Sequence, residues 1–149
     1  MDMTKTSGVL IEKINLLACK AQLLEMPEKP EFNLILTHLA RTEKGNSLFV
    51  EASFDLFGQV EKPACLLVCT FGAVYSRTDE SQMTWAGFTD ELAVLHLVPF
   101  VREFVSSVTL RMPVPALILQ PTNVSMLVAE YRARKIDKSA SAIHETQKN

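Results

Sequence analysis

Apolar and polar residues alternate along the first half of the chain. Phe32, Leu34 and Leu36 alternate with their neighbours, and apolar residues recur at every second position from Leu48 to Leu56. A period of two is typical of strands that place one face on a core. Residues 64–71, with the sequence ACLLVCTF, are almost wholly apolar, which predicts a central strand covered on both faces.

A further strand is predicted before these, from Ile14 to Glu25. Its apolar residues hold no single period, and it ends where Met26 and Pro27 interrupt the pattern. Residues 41–46 and 58–63 contain glycine and polar residues and are predicted turns. The first half of the chain therefore predicts four consecutive strands.

The second half has helical spacing. Residues 77–84 are a predicted polar loop, and residues 85–97 are ambiguous, with Thr89-Asp90-Glu91 similar to the start of a helical turn. Pro99 suits the first turn of a helix, so the main helix is predicted to begin there and to end at Pro113. Strands followed by helices indicate an α+β fold, an antiparallel sheet with helices on one face.

The main helix carries an apolar stripe, formed by Val101, Phe104, Val105 and Val108. Hydrophobic residues make up 48% of the 149 residues, and this stripe together with the nearly continuous apolar strand of residues 64–71 is more than one thin layer of sheet and helices can bury. Such a surplus is often buried between subunits. The stripe is therefore the predicted oligomer interface, and the chain is predicted to form a tetramer.

The loop between Pro113 and Pro121 is unusually apolar for a connecting segment. It contains Val114, Leu117, Ile118 and Leu119, with Met112 just before it. Loops normally lie on the surface and are polar, so these residues either pack under another element or contact a partner. Both alternatives are open, and the loop is the leading candidate for a binding surface.

A last helix follows this loop. Thr122 or Asn123 can cap it, and its apolar face is predicted to be Val124, Leu127, Val128 and Tyr131. Residues 138–149 are predicted to be a disordered polar tail, which leaves one domain over residues 1–137.

Charge and residue chemistry argue against several classes of function. The formal net charge of -2 does not favour nucleic acid or an anionic membrane surface, and no run has the length of a membrane span. Cys19, Cys65 and Cys69 form no C-x-x-C pair, which fits a reducing cytoplasm. The three histidines are scattered, and no nucleophile or phosphate-loop motif occurs. Neither an enzyme, a metal site nor a cofactor is expected.

The last third of the chain resembles the SecB chaperones. The likeness is carried by a proline-aromatic helix start, an R-E pair, a P-x-L-x-L loop, a P-x-N helix entry and an L-x-x-x-Y helix, in that order. These are Pro99, Arg102-Glu103, Arg111, Pro115, Leu117, Leu119, Pro121, Asn123, Leu127 and Tyr131. A weaker likeness extends back through residues 64–75, Gln82-Met83 and residues 20–27.

The resemblance implies a four-stranded antiparallel sheet with two helices on one face, assembled as a dimer of dimers. It also implies apolar grooves that hold unfolded polypeptide clients without ATP, for protein transport or for a dedicated client such as an antitoxin. Flexible apolar contacts suit such promiscuous binding. The groove is then expected to be lined by Phe32, Leu34, Leu36, Val114, Leu117, Leu119, Val124, Leu127, Val128 and Tyr131.

Two departures from the family pattern matter. The family docks to the SecA motor through acidic positions, of which only Glu25 is acidic here, with Ala21 and Val68 at the others. SecA binding is therefore doubtful. The link from Pro27 to Phe32 is also shorter than in the family. If the link must cross the sheet over three strand spacings of about 4.8 Å each, its residues must be almost fully extended, at about 3.4 Å per residue. The alternative is that the strand order differs from that of the family.

These observations favour a cytoplasmic holdase of the SecB type. The alternative is an α+β oligomer that binds a small ligand, or is purely structural, without chaperone activity.

Overall fold

A computed structural model describes residues 8–26, 29, 31–79, 81 and 83–146, with side chains through residue 143. The elements are β1 (Val9–Leu23), β2 (Ile35–Lys44), β3 (Ser47–Asp55), β4 (Cys65–Arg77), α1 (Asp90–Thr109) and α2 (Val124–Thr146). The strands form one antiparallel sheet in the order β1-β4-β3-β2. Helix α1 packs on β3 and β4, and α2 packs on β2 and α1. The predicted α+β class is confirmed.

The core lies between the two central strands and the helices. Every second residue of β3 and β4 is fully buried or nearly so, from Leu48 to Phe54 and from Cys65 to Tyr75. The intervening residues of β4, such as Leu66 and Val68, are only half-buried. The prediction that this strand is covered on both faces is therefore wrong, because both helices pack on the same face of the sheet.

Strand β1 is longer than predicted and begins at Val9. Its pairing with β4 is irregular between Ile11 and Lys13 and again between Leu16 and Ala18. Each irregularity adds a residue on one strand and reverses which later side chains face the helices. This explains why the apolar residues of the segment show no single period.

The strand order places β1 and β2 at opposite edges of the sheet, so the short link between them spans it. At one end, the amides of Leu24 and Glu25 donate to the carbonyl of Ala64, at 2.9 and 3.0 Å. At the other end, the amide of Asn33 donates to the carbonyl of Leu56 at 2.8 Å. The path of the link itself falls on Pro27, Glu28 and Pro30, outside the described residues.

Helix α1 begins at Asp90, nine residues before the predicted start at Pro99. Thr89 caps it, because its side-chain oxygen accepts a hydrogen bond from the amide of Leu92 at 3.2 Å. Pro99 lies inside the helix, where it leaves the carbonyl of Leu95 without a helical partner. Since Leu95 is exposed, water can hydrogen-bond that carbonyl, which makes the internal proline tolerable.

Helix α1 is also long and apolar enough to cross a membrane by length and composition, contrary to the sequence-based expectation. In the described structure it is the core helix, with Ala93, Val94, Leu97 and Val101 fully buried against the sheet.

Helix α2 continues to Thr146, through most of the segment predicted to be a disordered tail. Residues 138–146 contain neither glycine nor proline, and lysine, alanine and glutamate are good helix formers. The polarity of this segment indicates solvent exposure and not the end of the helix. Residues 147–149 lie outside the described part of the chain.

Candidate functional site

The predicted oligomer stripe of α1 is divided between the core and the surface. Val101 and Val105 are fully buried within one chain, so they cannot contact a second subunit, and that part of the predicted interface is wrong. Phe104 and Val108 are half-buried, and the ring of Phe104 meets Phe71 edge-on with centroids 6.2 Å apart. The helical period locates the stripe but cannot tell which of its residues the sheet of the same chain covers.

Two leucines of the apolar loop are core residues. Leu117 and Leu119 point inward and are 3% and 8% exposed, whereas Ile118 between them is 71% exposed. The buried hydroxyl of Thr109 accepts a hydrogen bond from the amide of Leu117 at 3.0 Å. The hydroxyl of Ser106 donates a hydrogen bond to the carbonyl of Leu117 at 3.2 Å. Two hydroxyls of α1 thus satisfy the backbone of a buried loop residue and hold the loop under the helix.

The residues predicted to line a client groove divide into two groups. Phe32, Val114 and Tyr131 are half-buried. The others are buried, namely Leu34, Leu36, Leu117, Leu119, Val124, Leu127 and Val128. Leu36 and Val128 are fully buried and are core residues, so their assignment to an open groove is wrong.

A pocket of about 400 Å³ brings four of the predicted residues together. It lies between the segment just before β2, the apolar loop and the first turns of α2. Its lining contains Phe32, Leu34, Leu119 and Leu127 from the prediction, and Asn33, Gln120, Thr122, Asn123, Met126 and Glu130 in addition. This pocket is called the apolar pocket below.

Met126 is the important residue that the sequence prediction missed in the apolar pocket. It is 56% exposed, and with Asn123, Leu127 and Glu130 it follows the spacing of one helical face. The same spacing in the sequence could have identified it. Asn123 caps α2, as predicted, by accepting from the amide of Met126 at 3.1 Å.

A second pocket, of about 280 Å³, lies beside the apolar pocket along α2. It is lined by Ile35, Thr37, Tyr131, Arg134, Lys135 and Lys138 and is called the cationic pocket below. The guanidinium of Arg134 donates to the carbonyl of Leu36 at 2.7 Å, which fixes α2 to the edge of β2. Nothing in the sequence by itself places β2 beside these basic residues.

Ion pairs hold the two helices and β2 in this arrangement. Arg41 donates to the carbonyls of Phe88 and Trp85, both at 2.6 Å, and to Asp90 at 3.2 Å. Arg132 of α2 pairs with Asp90 and Glu91, each at 3.0 Å. The hydrogen bond with Asp90 raises the pKa of Arg132. The two acids at the start of α1 therefore position α2 as well as suiting the helix dipole.

The titratable groups inside the core have pKa values shifted toward their uncharged forms. Burial raises the pKa of Tyr75 to about 12 and lowers that of His96, whose Nδ1 lies 3.1 Å from the tyrosine hydroxyl. Burial, and secondarily Cys19 beside it, raises the pKa of Cys69 to about 12. Among the described residues, no group of three or more histidine, cysteine or acidic side chains could hold a metal ion.

The positions that match the SecA-docking acids of the SecB family do not form one surface here. Ala21 lies opposite the buried Leu67, on the helix side of the sheet, whereas Val68 lies opposite Lys20 on the other side. Glu25 is exposed beyond the end of β1. Ala21 and Val68 are therefore on opposite faces of the sheet, and neither of them is acidic.

The strand order, the single layer of two helices and the loop under α1 define a SecB-like fold. A solved structure with this fold is the Rv1957 SecB-like chaperone of Mycobacterium tuberculosis, in complex with a ChAD peptide from the Rv1956 HigA1 antitoxin. It superimposes with a TM-score of 0.66 at 19% identity, over 78% of this chain and 92% of that chain.

A protein of unknown function from Streptococcus agalactiae is a more distant match. Its TM-score is 0.44 at 13% identity, over 76% of this chain and 97% of that chain. No family model and no curated protein sequence matches the chain significantly. The likeness to the Rv1957 structure establishes the fold, and the function has to be argued from the site.

Proposed function

We propose that this protein is an ATP-independent holdase that binds unfolded or partly folded polypeptides in the apolar pocket. The observation that carries the proposal is the placement of Phe32 and Met126 at the opening of that pocket. Met126 is more than half exposed, and its flexible thioether adapts to varied apolar side chains. The polar residues Gln120, Asn123 and Glu130 at the rim can hydrogen-bond an extended backbone.

We propose that the protein serves one specific client and not unfolded chains in general, and an antitoxin is the first candidate. The SecB-like chaperone to which this fold is similar is bound to an antitoxin peptide in its solved structure. The divided positions of Ala21, Val68 and Glu25 argue against SecA docking, since charge complementarity governs such an encounter. The proposed activity is therefore independent of SecA and cytoplasmic, as the free cysteines suggest.

Suppression of aggregation tests the proposal. A chemically denatured test protein is diluted into buffer with increasing amounts of this protein, and light scattering is recorded without nucleotide. A holdase suppresses scattering stoichiometrically, and adding ATP makes no difference. Scattering that is unchanged at a several-fold molar excess would contradict the proposal and favour the small-ligand or structural alternative.

A homotetramer is part of the proposal. Strand β1 lies at the edge of the sheet, and all its residues except Val9 and Ile14 are exposed. Among them are Leu10, Ile11, Leu16, Leu17 and Leu23. A long apolar edge strand invites pairing with another chain, so we propose that β1 pairs with β1 of a second copy. The half-exposed Phe104 and Val108 of α1 are proposed to join two such dimers.

The expected mass in solution is four times the 16.6 kDa of one chain, measured by light scattering coupled to gel filtration. Phe104→Arg is expected to give dimers, since an unpaired charge at a dry interface costs on the order of 3 to 5 kcal/mol. Leu16→Lys, on the exposed strand β1, is expected to disrupt the proposed interface between the β1 strands of two copies. A wild-type monomer at micromolar concentration would reject this assembly. Circular dichroism of each variant verifies that it is folded.

A further inference from the structure

The apolar and cationic pockets follow one another along α2 and along the chain that enters β2. Leu34 lines the first pocket and Ile35 the second, while on α2 Glu130 lines the first and Tyr131 the second. The pockets therefore adjoin at both walls. A polypeptide that leaves the apolar pocket in this direction reaches the cationic pocket within a few residues, since an extended chain advances about 3.3 Å per residue.

The charge in the second pocket is not neutralised by the chain itself. Its lining includes Arg134, Lys135 and Lys138 and no acidic residue. Within the described part of the structure, neither lysine ammonium has an ion pair, and Arg134 donates only to the carbonyl of Leu36. By contrast, Arg41 and Arg132 nearby are both paired with acids. The cationic pocket is thus a place where the fold leaves positive charge available.

We propose that the cationic pocket binds acidic side chains of the client, immediately beside the apolar segment held in the apolar pocket. This inference rests on the proposed holdase function and adds the chemical class of its client. The preferred client is a segment with an apolar stretch flanked by aspartate or glutamate. A client of this kind is complementary to the site in both parts, because apolar side chains pack against the walls of the apolar pocket and carboxylates pair with the charges of the cationic pocket.

The arrangement of side chains in the cationic pocket favours the binding of carboxylates. Arg134 is held in place by its bond to the carbonyl of Leu36, so part of its guanidinium is already oriented. The two lysines carry compact charges on flexible stems that adapt to clients of differing sequence. Tyr131 and the buried Ile35 supply an apolar wall that lowers the local dielectric and strengthens the attraction.

Matched peptides test the inference. Three fluorescein-labelled peptides share one apolar core and differ only in two flanking residues, which are aspartate, glutamine or lysine. A second set carries the flank at the other end of the core, because the direction of the bound chain is open. In fluorescence anisotropy, the aspartate peptide of one set is expected to bind about fivefold to tenfold more tightly than the glutamine peptide. The lysine peptide is expected to bind most weakly. The differences in affinity among the three peptides should shrink in about 0.5 M salt, because that ionic strength screens most attraction between surface charges.

A double substitution locates the effect. Lys135→Gln combined with Lys138→Gln is expected to remove most of the preference for aspartate, so that the affinities of the aspartate and glutamine peptides become similar. The control, Lys44→Gln combined with Lys62→Gln, removes the same charge at exposed positions outside both pockets and should keep the preference. A comparison of the two variants shows whether the preference for aspartate depends on the cationic pocket or on the net charge of the protein.

Four results would count against the inference, and they are distinguishable. If the three peptides bind equally, the client preference is refuted while the holdase proposal stands. If both double variants lose the preference alike, net charge and not the pocket is responsible. If the pocket variant changes the oligomeric state, a second copy occupies the pocket. If the wild-type protein binds no peptide of either set, the proposed function itself fails.

Discussion

Replacing Leu119 and Leu127 together with serine is expected to unfold much of the protein. Both residues form the floor of the apolar pocket, and they are only 8% and 5% exposed. Each change removes a buried leucine side chain and leaves a hydroxyl in its place. Leucine-to-alanine changes in cores cost roughly 2 to 5 kcal/mol, so the pair is expected to cost about 4 kcal/mol or more. For a chain of this size the melting temperature should fall by about 10 °C or more.

The melting temperature is measured by thermal denaturation, monitored by circular dichroism. The control is Ile118→Ser combined with Met126→Ser, which makes changes of comparable size at residues that are 71% and 56% exposed. The control should lower the melting temperature by no more than a few degrees. If the leucine variant is as stable as the control, the floor of the pocket is not part of the core as described.

Replacing Phe32 and Met126 with alanine is expected to remove most client affinity while the chain stays folded. These two residues line the opening of the apolar pocket, where a client side chain would enter. Large apolar side chains that contact a ligand often contribute about 1 to 2 kcal/mol each, so affinity should fall by roughly tenfold or more. Titration of a labelled unfolded client by fluorescence anisotropy measures the loss.

The matched control for client binding is Leu110→Ala combined with Ile143→Ala. Both residues are exposed, at 71% and 62%, and neither lines the apolar pocket. This variant removes apolar surface of similar size and should bind the client as the wild type does. Equal losses in the two variants would mean that general surface hydrophobicity holds the client, and the assignment of the site would be wrong.

The two expectations together describe how this site is built. Its floor is core, and its opening is a flexible methionine and an aromatic ring. Substitutions in the floor are therefore expected to change stability and client binding together, whereas substitutions at the opening are expected to change client binding much more than stability. Only the second kind can test the function, because a destabilised variant loses clients for reasons unrelated to the pocket.

Much of the fold could be predicted from the sequence where one local rule acts without interference. The strict alternation from Leu48 to Leu56 predicted β3, because a strand with one face on the core requires a period of two. Asn123 was one of the two residues predicted to cap α2, because a side-chain oxygen at that position satisfies a free amide. The order of strands before helices predicted the α+β class.

Other features depended on contacts between residues far apart in the chain. The sequence alone could not show that Val101 and Val105 are buried by their own sheet, since an apolar stripe looks the same against a sheet or a second subunit. It also placed the start of α1 at Pro99, because the local rule for proline does not include the packing that holds the preceding turns.

The sequence by itself determined the composition of the site: an apolar loop, a capped helix with one apolar face, and basic residues further along that helix. Only the tertiary structure decided which of these residues meet. It turned Leu117 and Leu119 inward, left Met126 at the surface, and set Lys135 and Lys138 beside the edge of β2. The physical reason is that side-chain burial and charge pairing are properties of neighbours in space, which the spacing of residues along the chain does not specify.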